Sequence, residues 1–151
     1  MKPGRQNRQR SLDKLFALKN PSATDPEEMA HWCKYLCVLV SGFIEEVVVE
    51  WLEDYARGRS PKPVALFVSK QLYYFQNPEH KKILDQVRAF DGNWANSLEA
   101  LDDRYKSSIN SIVHNRHRIV HGQSCTVSFR QLNEWYEDVK EFLDEFEQVV
   151  R

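Results

Sequence analysis

The 151-residue chain lacks a net positive charge: its formal balance is −1, so no global attraction to a polyanion operates, and any anion site must be a local patch. It has no C-x-x-C pair and an odd count of three cysteines, Cys33, Cys37 and Cys125. Cys33 and Cys37, four apart in an apolar helical pattern, read as small core residues rather than disulfide partners or zinc ligands. No secretory signal opens the chain, because "MKPGRQNRQRSLDKLF" carries basic residues without an apolar stretch after them. The longest apolar run, "YLCVLVSGFI", stops at Glu45-Glu46, well short of the roughly 20 residues of a membrane span. Together these absences describe a reduced, cytoplasmic chain with no membrane partner. Alternating strand patterns are almost missing, and no internal repeat is visible.

What remains is ample for one folded domain. Hydrophobic residues make up 42%, aromatics 12% and charged residues 28%, the profile of a globular protein. Residues 1–10, with Lys2, Arg5, Arg8 and Arg10 and no acids, read as a flexible basic lead to a single domain over 11–151. A short helix is expected over Ser11–Leu18. In "KNPSATDPEE", Pro21 and Pro26 interrupt the chain, and Thr24 or Asp25 can cap a long helix that runs to about Arg57. Its stripe is Trp32, Leu36, Leu39, Phe43, Val47 and Trp51. Shorter helices follow over Val64–Phe75 and after Asn77-Pro78. The "DGN" at 91–93 is a turn signal, and Leu98–His121 reads as one long helix stopped by Gly122. The last helix opens with a capping box, Ser128 and Gln131, and a staple of Val127 and Leu132. The fold class is all-α: an up-and-down helical bundle with three long and two or three shorter helices.

The stretch "RHRIVHG", residues 116–122, does not fit a plain amphipathic helix. The apolar line Tyr105, Ile109, Ile112 reaches Arg116 where another aliphatic belongs, then Val120. A buried, unpaired guanidinium is too costly to be incidental, so Arg116 either pairs inside the protein or faces an interface. His117 lies beside the same line, and His121 stacks one turn beyond it. Arg118 and His114 point elsewhere; the helix C-terminal dipole, which favours cations, is one account of them and substrate contact is the other. Metal ligation by His114, His117 and His121 is a further reading. It is disfavoured by the flanking Arg116 and Arg118 and by the lack of a nearby acid or cysteine, so neither a metal nor a cofactor is expected.

A third reading is cleavage of RNA through the ribose 2′-hydroxyl. That reaction needs a base, an acid and a cation for the phosphorane, which histidine and arginine supply. Arg116 and His121 would lie about 140° apart around the helix and about 7.5 Å along it. One helix end therefore does not close on a phosphate, whereas a two-fold axis brings two such ends together.

The same residues resemble a known motif. "RHRIVHG" is similar to the R-x4–6-H motif of HEPN domains: Arg116, the polar His117 and the distal His121, followed by Gly122. "YLCVLVSGFIEEVVVEWL" resembles the S-x-x-x-E segment of the RiboL-PSP-type branch, with Ser41 and Glu45 on one face, and the closing helix is similar too. The resemblance covers roughly residues 25–150. It implies a homodimeric bundle that is often a metal-independent endoribonuclease, acting in toxin–antitoxin, defence or RNA-processing systems, with an antitoxin or regulatory protein as a further partner. His121 would be the acid/base, Arg116 the phosphate contact and His117 the polar helper. Glu45 and Ser41 would support them, and Arg118 and His114 would touch RNA. His117 departs from the asparagine most often found at that position. A non-catalytic HEPN domain that binds RNA, a nucleotide or a protein through the same cleft is the alternative.

Overall fold

A computed structural model of the chain describes residues 3–18 and 25–151, and the described residues form seven helices and no strand. They are α1 (Pro3–Ala17), α2 (Pro26–Arg59), α3 (Lys62–Leu72), α4 (His80–Arg88), α5 (Gly92–Glu99), α6 (Asp103–Val120) and α7 (Phe129–Val149). Three are long and four shorter. No helix among the described residues is long and apolar enough to cross a membrane.

The cap signals decide most of the boundaries. The Asp25 carboxylate accepts the Glu27 N–H at 2.9 Å, and Pro26 opens α2, where its missing N–H costs nothing. Thr24, the other expected cap, lies outside the described residues, as do Lys2 and Pro21. Ser60 ends α2 in extended backbone, and Pro61 and Pro63 lead into α3. Ser128 accepts the Gln131 N–H at 3.1 Å to start α7, with Val127 and Leu132 both packed into the core beneath it.

The core lies between α2, α6 and α7, which pack on one another. The Cys37 thiol reaches the Ile112 carbonyl at 3.5 Å, while Cys33, a turn earlier, shares a cavity wall with Ile119. So α2 and α6 run antiparallel. Trp51 Nε1 donates to the Val150 carbonyl at 2.8 Å, and Met29 lines one cavity with Phe129, so α2 and α7 run parallel. Leu36, Val40, Ile44, Val48 and Leu52 form the fully buried line of α2. Trp32, Leu39 and Trp51, expected on that line, flank it half-buried, because α2 is covered on two sides.

Four expectations need correction. The stretch 98–121 is two helices rather than one. Asp102 accepts the Arg104 N–H at 2.9 Å and Asp103 sits in the first turn, so a new helix starts there. Asp91 likewise caps α5, accepting from Asn93 at 2.7 Å, where only a turn was expected.

The basic lead is not a free arm: α1 is helical from Pro3. Arg5 is 2% exposed and reaches Asp144 at 2.8 Å, Glu147 at 2.9 Å and the Lys140 carbonyl at 3.2 Å. Arg8 pairs with Glu46 at 3.1 Å and with Glu50. Carboxylates on α2 and α7 thus hold the cationic segment against the bundle. Tyr136 adds a hydrogen bond to Asp13 at 2.8 Å, and its ring stacks on Phe16.

Finally, Val120 does not continue the seam. It is exposed, while Ile119 packs against the core.

Candidate functional site

The site is built on the last two turns of α6, on the middle of α2, and on the segment joining α3 to α4. Gly122 ends α6 with φ 67°, a left-handed conformation that glycine adopts without a Cβ clash. Its N–H meets the Ile119 carbonyl at 3.1 Å, and the Gln123 N–H meets the Arg118 carbonyl at 2.8 Å. This closed turn leaves His121 at the helix cap, where its own N–H bonds the His117 carbonyl at 3.1 Å.

His117 and His121 are both exposed, and their rings lie 4.3 Å apart, tilted by 55°. Two imidazoles therefore sit one turn apart on an open surface. Imidazole is the side chain that ionises nearest neutrality, so the pair can give and accept protons.

Arg116 is half-buried, as a cation on the core line should be if it is paired. Its guanidinium donates to the Asn77 side-chain oxygen at 2.8 Å. Asn77 itself holds left-handed backbone, φ 53°, a conformation that asparagine tolerates better than most residues. The segment around it is tied down: the Glu79 N–H bonds the Asn77 carbonyl at 2.7 Å, and the His80 N–H bonds Asn110 of α6 at 2.9 Å.

Glu45 of α2 completes the group. Burial raises its carboxyl pKa above the ordinary value; the Asn77 backbone N–H and the Arg116 guanidinium act in the opposite direction, and Glu46 adds to the rise. Asn77 thus bonds the guanidinium directly, and the Glu45 carboxyl lies within electrostatic reach of it.

The other expected residues divide. Ser41 is buried one turn before Glu45, and no hydrogen bond among the described residues links it to this set. His114, one turn before His117 on α6, lines an open concavity of about 470 Å³ with Glu79, Asn110 and Ser111. Arg118 is half-buried and its Nε has no hydrogen-bond partner among the described residues. No three His, Cys, Asp or Glu side chains among the described residues converge as metal ligands.

Sequence reasoning missed Asn77. Its one signal was the Asn-Pro pair, which reads as punctuation before α4. Tyr73 and Tyr74 are 79% and 77% exposed, whereas Phe75 beside them packs against the core.

A family model described as RiboL-PSP-HEPN matches residues 5–151. The chain belongs to this HEPN family. No curated protein and no solved structure matches it. The family match in this HEPN domain begins at Arg5, the residue that anchors α1 in the bundle, and runs through all of α2 to α7. Arg116, His117 and His121, the residues that resemble an R-x4–6-H motif, lie within the matched residues.

Proposed function

We propose that this HEPN domain is a metal-independent endoribonuclease that works as a homodimer, with the α6 ends of two protomers around one phosphate. The observation that carries the reading is the pair of exposed imidazoles, His117 and His121, beside a half-buried guanidinium backed by Asn77 and Glu45.

In this mechanism a histidine base takes the proton of the ribose 2′-hydroxyl, and the oxygen attacks the adjacent phosphorus. Arg116 compensates the charge that develops on the phosphorane. A histidine acid then protonates the departing 5′-oxygen, leaving a 2′,3′-cyclic phosphate and a 5′-hydroxyl. His121 is assigned the acid/base role in each protomer, with one copy taking the first proton and the other giving the second. His117 orients it, and Arg118 and His114 contact flanking phosphates. The family context favours toxin–antitoxin, defence or RNA-processing biology, with an antitoxin or regulatory protein to restrain the activity.

The test is cleavage of unstructured RNA by the wild type, His121→Ala and Arg116→Ala, with and without EDTA. Each substitution is expected to lower the rate by about 10²-fold or more, the scale of losing an acid/base or an oxyanion contact. Undiminished cleavage in both variants ends the proposal. RNA binding without turnover between pH 5 and 9 favours the non-catalytic alternative, for which His117 in place of asparagine is the specific motive.

A further inference from the structure

Two tyrosines at the end of α3 stand in solvent next to the segment that holds Arg116. Tyr73 and Tyr74 are 79% and 77% exposed, and their rings meet edge to face at 5.5 Å. Aromatic rings carry large apolar area, and leaving two of them uncovered side by side forgoes burial that the neighbouring Phe75 obtains.

Their position is fixed from both sides. The Tyr73 N–H closes the last turn of α3 on the Ser69 carbonyl at 3.0 Å, Phe75 inserts toward the core, and Asn77 is bonded to Arg116 at 2.8 Å. Three positions separate Tyr74 from Asn77, a Cα span of at most about 11 Å. At 3.4 Å or more per stacked nucleotide, the rings therefore lie within a few nucleotides of whatever Arg116 holds.

The chemistry around the rings is that of a base site. Tyr74 lines a cavity of about 400 Å³ together with Gln71, Gln76, Gln86, Lys82 and Asp85. The amides present both donors and acceptors to a base edge, and the Lys82 ammonium suits a phosphate. Asp85, the one acid, is taken up by Lys81 at 3.0 Å.

We infer that Tyr73 and Tyr74 form a stacking platform for an unpaired base of single-stranded RNA, one that sets where along the strand Arg116 engages. This rests on the endoribonuclease reading and adds a substrate class to it. The competing occupant is a second copy of the chain, since Val64, Leu66 and Phe67 are also exposed on α3. Lysine and acid are depleted at the centre of protein interfaces, whereas they flank Tyr74 here.

The test is fluorescence anisotropy with a labelled, unstructured 2′-O-methyl RNA, which lacks the attacking hydroxyl and is not cut, with cleavage of ordinary RNA followed in parallel. Tyr73→Ala and Tyr74→Ala are each expected to weaken binding about five- to hundredfold, and Tyr74→Phe by about twofold at most, since stacking needs the ring and not its hydroxyl. Thermal melting should be unchanged, because both rings are exposed. Unaltered affinity in both alanine variants overturns the inference. So does an affinity loss that tracks conversion of a dimer to a monomer in sedimentation, which assigns the rings to a protein interface. Tyrosine-dependent binding in a wild type that cuts no RNA ends the endoribonuclease reading but keeps the platform; cleavage with tyrosine-independent binding does the reverse.

Discussion

The Arg116 guanidinium donates to the Asn77 side-chain oxygen at 2.8 Å, across 39 positions of sequence. The bond explains how a cation stands on the apolar line of α6. One edge of the guanidinium is satisfied by an uncharged acceptor, and the Glu45 carboxylate lies near enough to interact with its charge. A neutral acceptor orients the group without neutralising it, so its positive charge remains available to an anion.

Asn77 is therefore expected to be a positioning residue with two separable contributions. Asn77→Gly keeps the left-handed backbone, φ 53°, and removes only the acceptor. It should lower RNA cleavage about tenfold, the equivalent of roughly 1.4 kcal/mol, with little change in melting temperature. Asn77→Ala also forces a Cβ into the left-handed region and should lose about 1 kcal/mol of stability more. Parallel rate and denaturation measurements on the two variants separate the effects; equal cleavage by Asn77→Gly and wild type would remove Asn77 from the site.

Glu45 links the same group to pH. Its pKa is raised in the folded state, chiefly by burial. Such a carboxyl contributes stability that is full below its unfolded value, about 4.3, and is lost as pH rises through the folded value. Glu45→Gln cannot ionise and escapes that loss. The variant's melting temperature relative to wild type should thus rise between pH 4 and pH 7, rather than stay level. Cleavage should fall about fivefold, as Arg116 loses its nearby carboxylate. A stability difference that is flat with pH would show that Glu45 ionises in the fold as it does in the unfolded chain.

Much of the architecture was legible in local signals, and the exceptions share a cause. The caps at Asp25 and Ser128 and the stop at Gly122 involve partners within a few residues, so the sequence displays both members. The break at 100–102 was missed because Leu98, Leu101 and Tyr105 keep helical spacing across it, and periodicity continues where the backbone does not. The place of Arg116 was legible as a fault in an apolar seam. Its partner was not, because Asn77 arrives from another segment. The lead 1–10 failed in the same way: Arg5 and Arg8 find carboxylates 139 and 42 positions away.

Arg5 supplies a stability test of that correction. It is 2% exposed and ion-paired with Glu147, which is itself buried, and with Asp144, which is not. Replacing Arg5 by methionine keeps volume but leaves buried carboxylate charge without this cation, a change that costs about 3 kcal/mol. Arg8→Met removes ion pairs to Glu46 and Glu50 that are 40% exposed on the arginine side and should cost under about 1 kcal/mol. Urea denaturation should rank them so. Similar small losses in both would mean that α1 is held by its apolar residues Leu12 and Phe16 alone.

Ser41 and Gly42 are adjacent small residues in the middle of α2, and their surroundings differ. Ser41 is buried, whereas Gly42 is exposed, with no atom within 4 Å of the position of an added Cβ. Within one protomer nothing requires a glycine there, and glycine in a helix interior is less favourable than alanine by about 0.5–1 kcal/mol. Gly42→Ala is expected to raise the melting temperature of the dilute protein by about 2–4 °C. The same substitution in a seam would instead press a methyl group against the partner helix. A lowered melting temperature, together with dimer dissociation at higher protein concentration than the wild type requires, would place the partner over Gly42. A rise with unchanged dimerisation directs the search for the interface to other faces, beginning with the exposed Val64, Leu66 and Phe67 of α3.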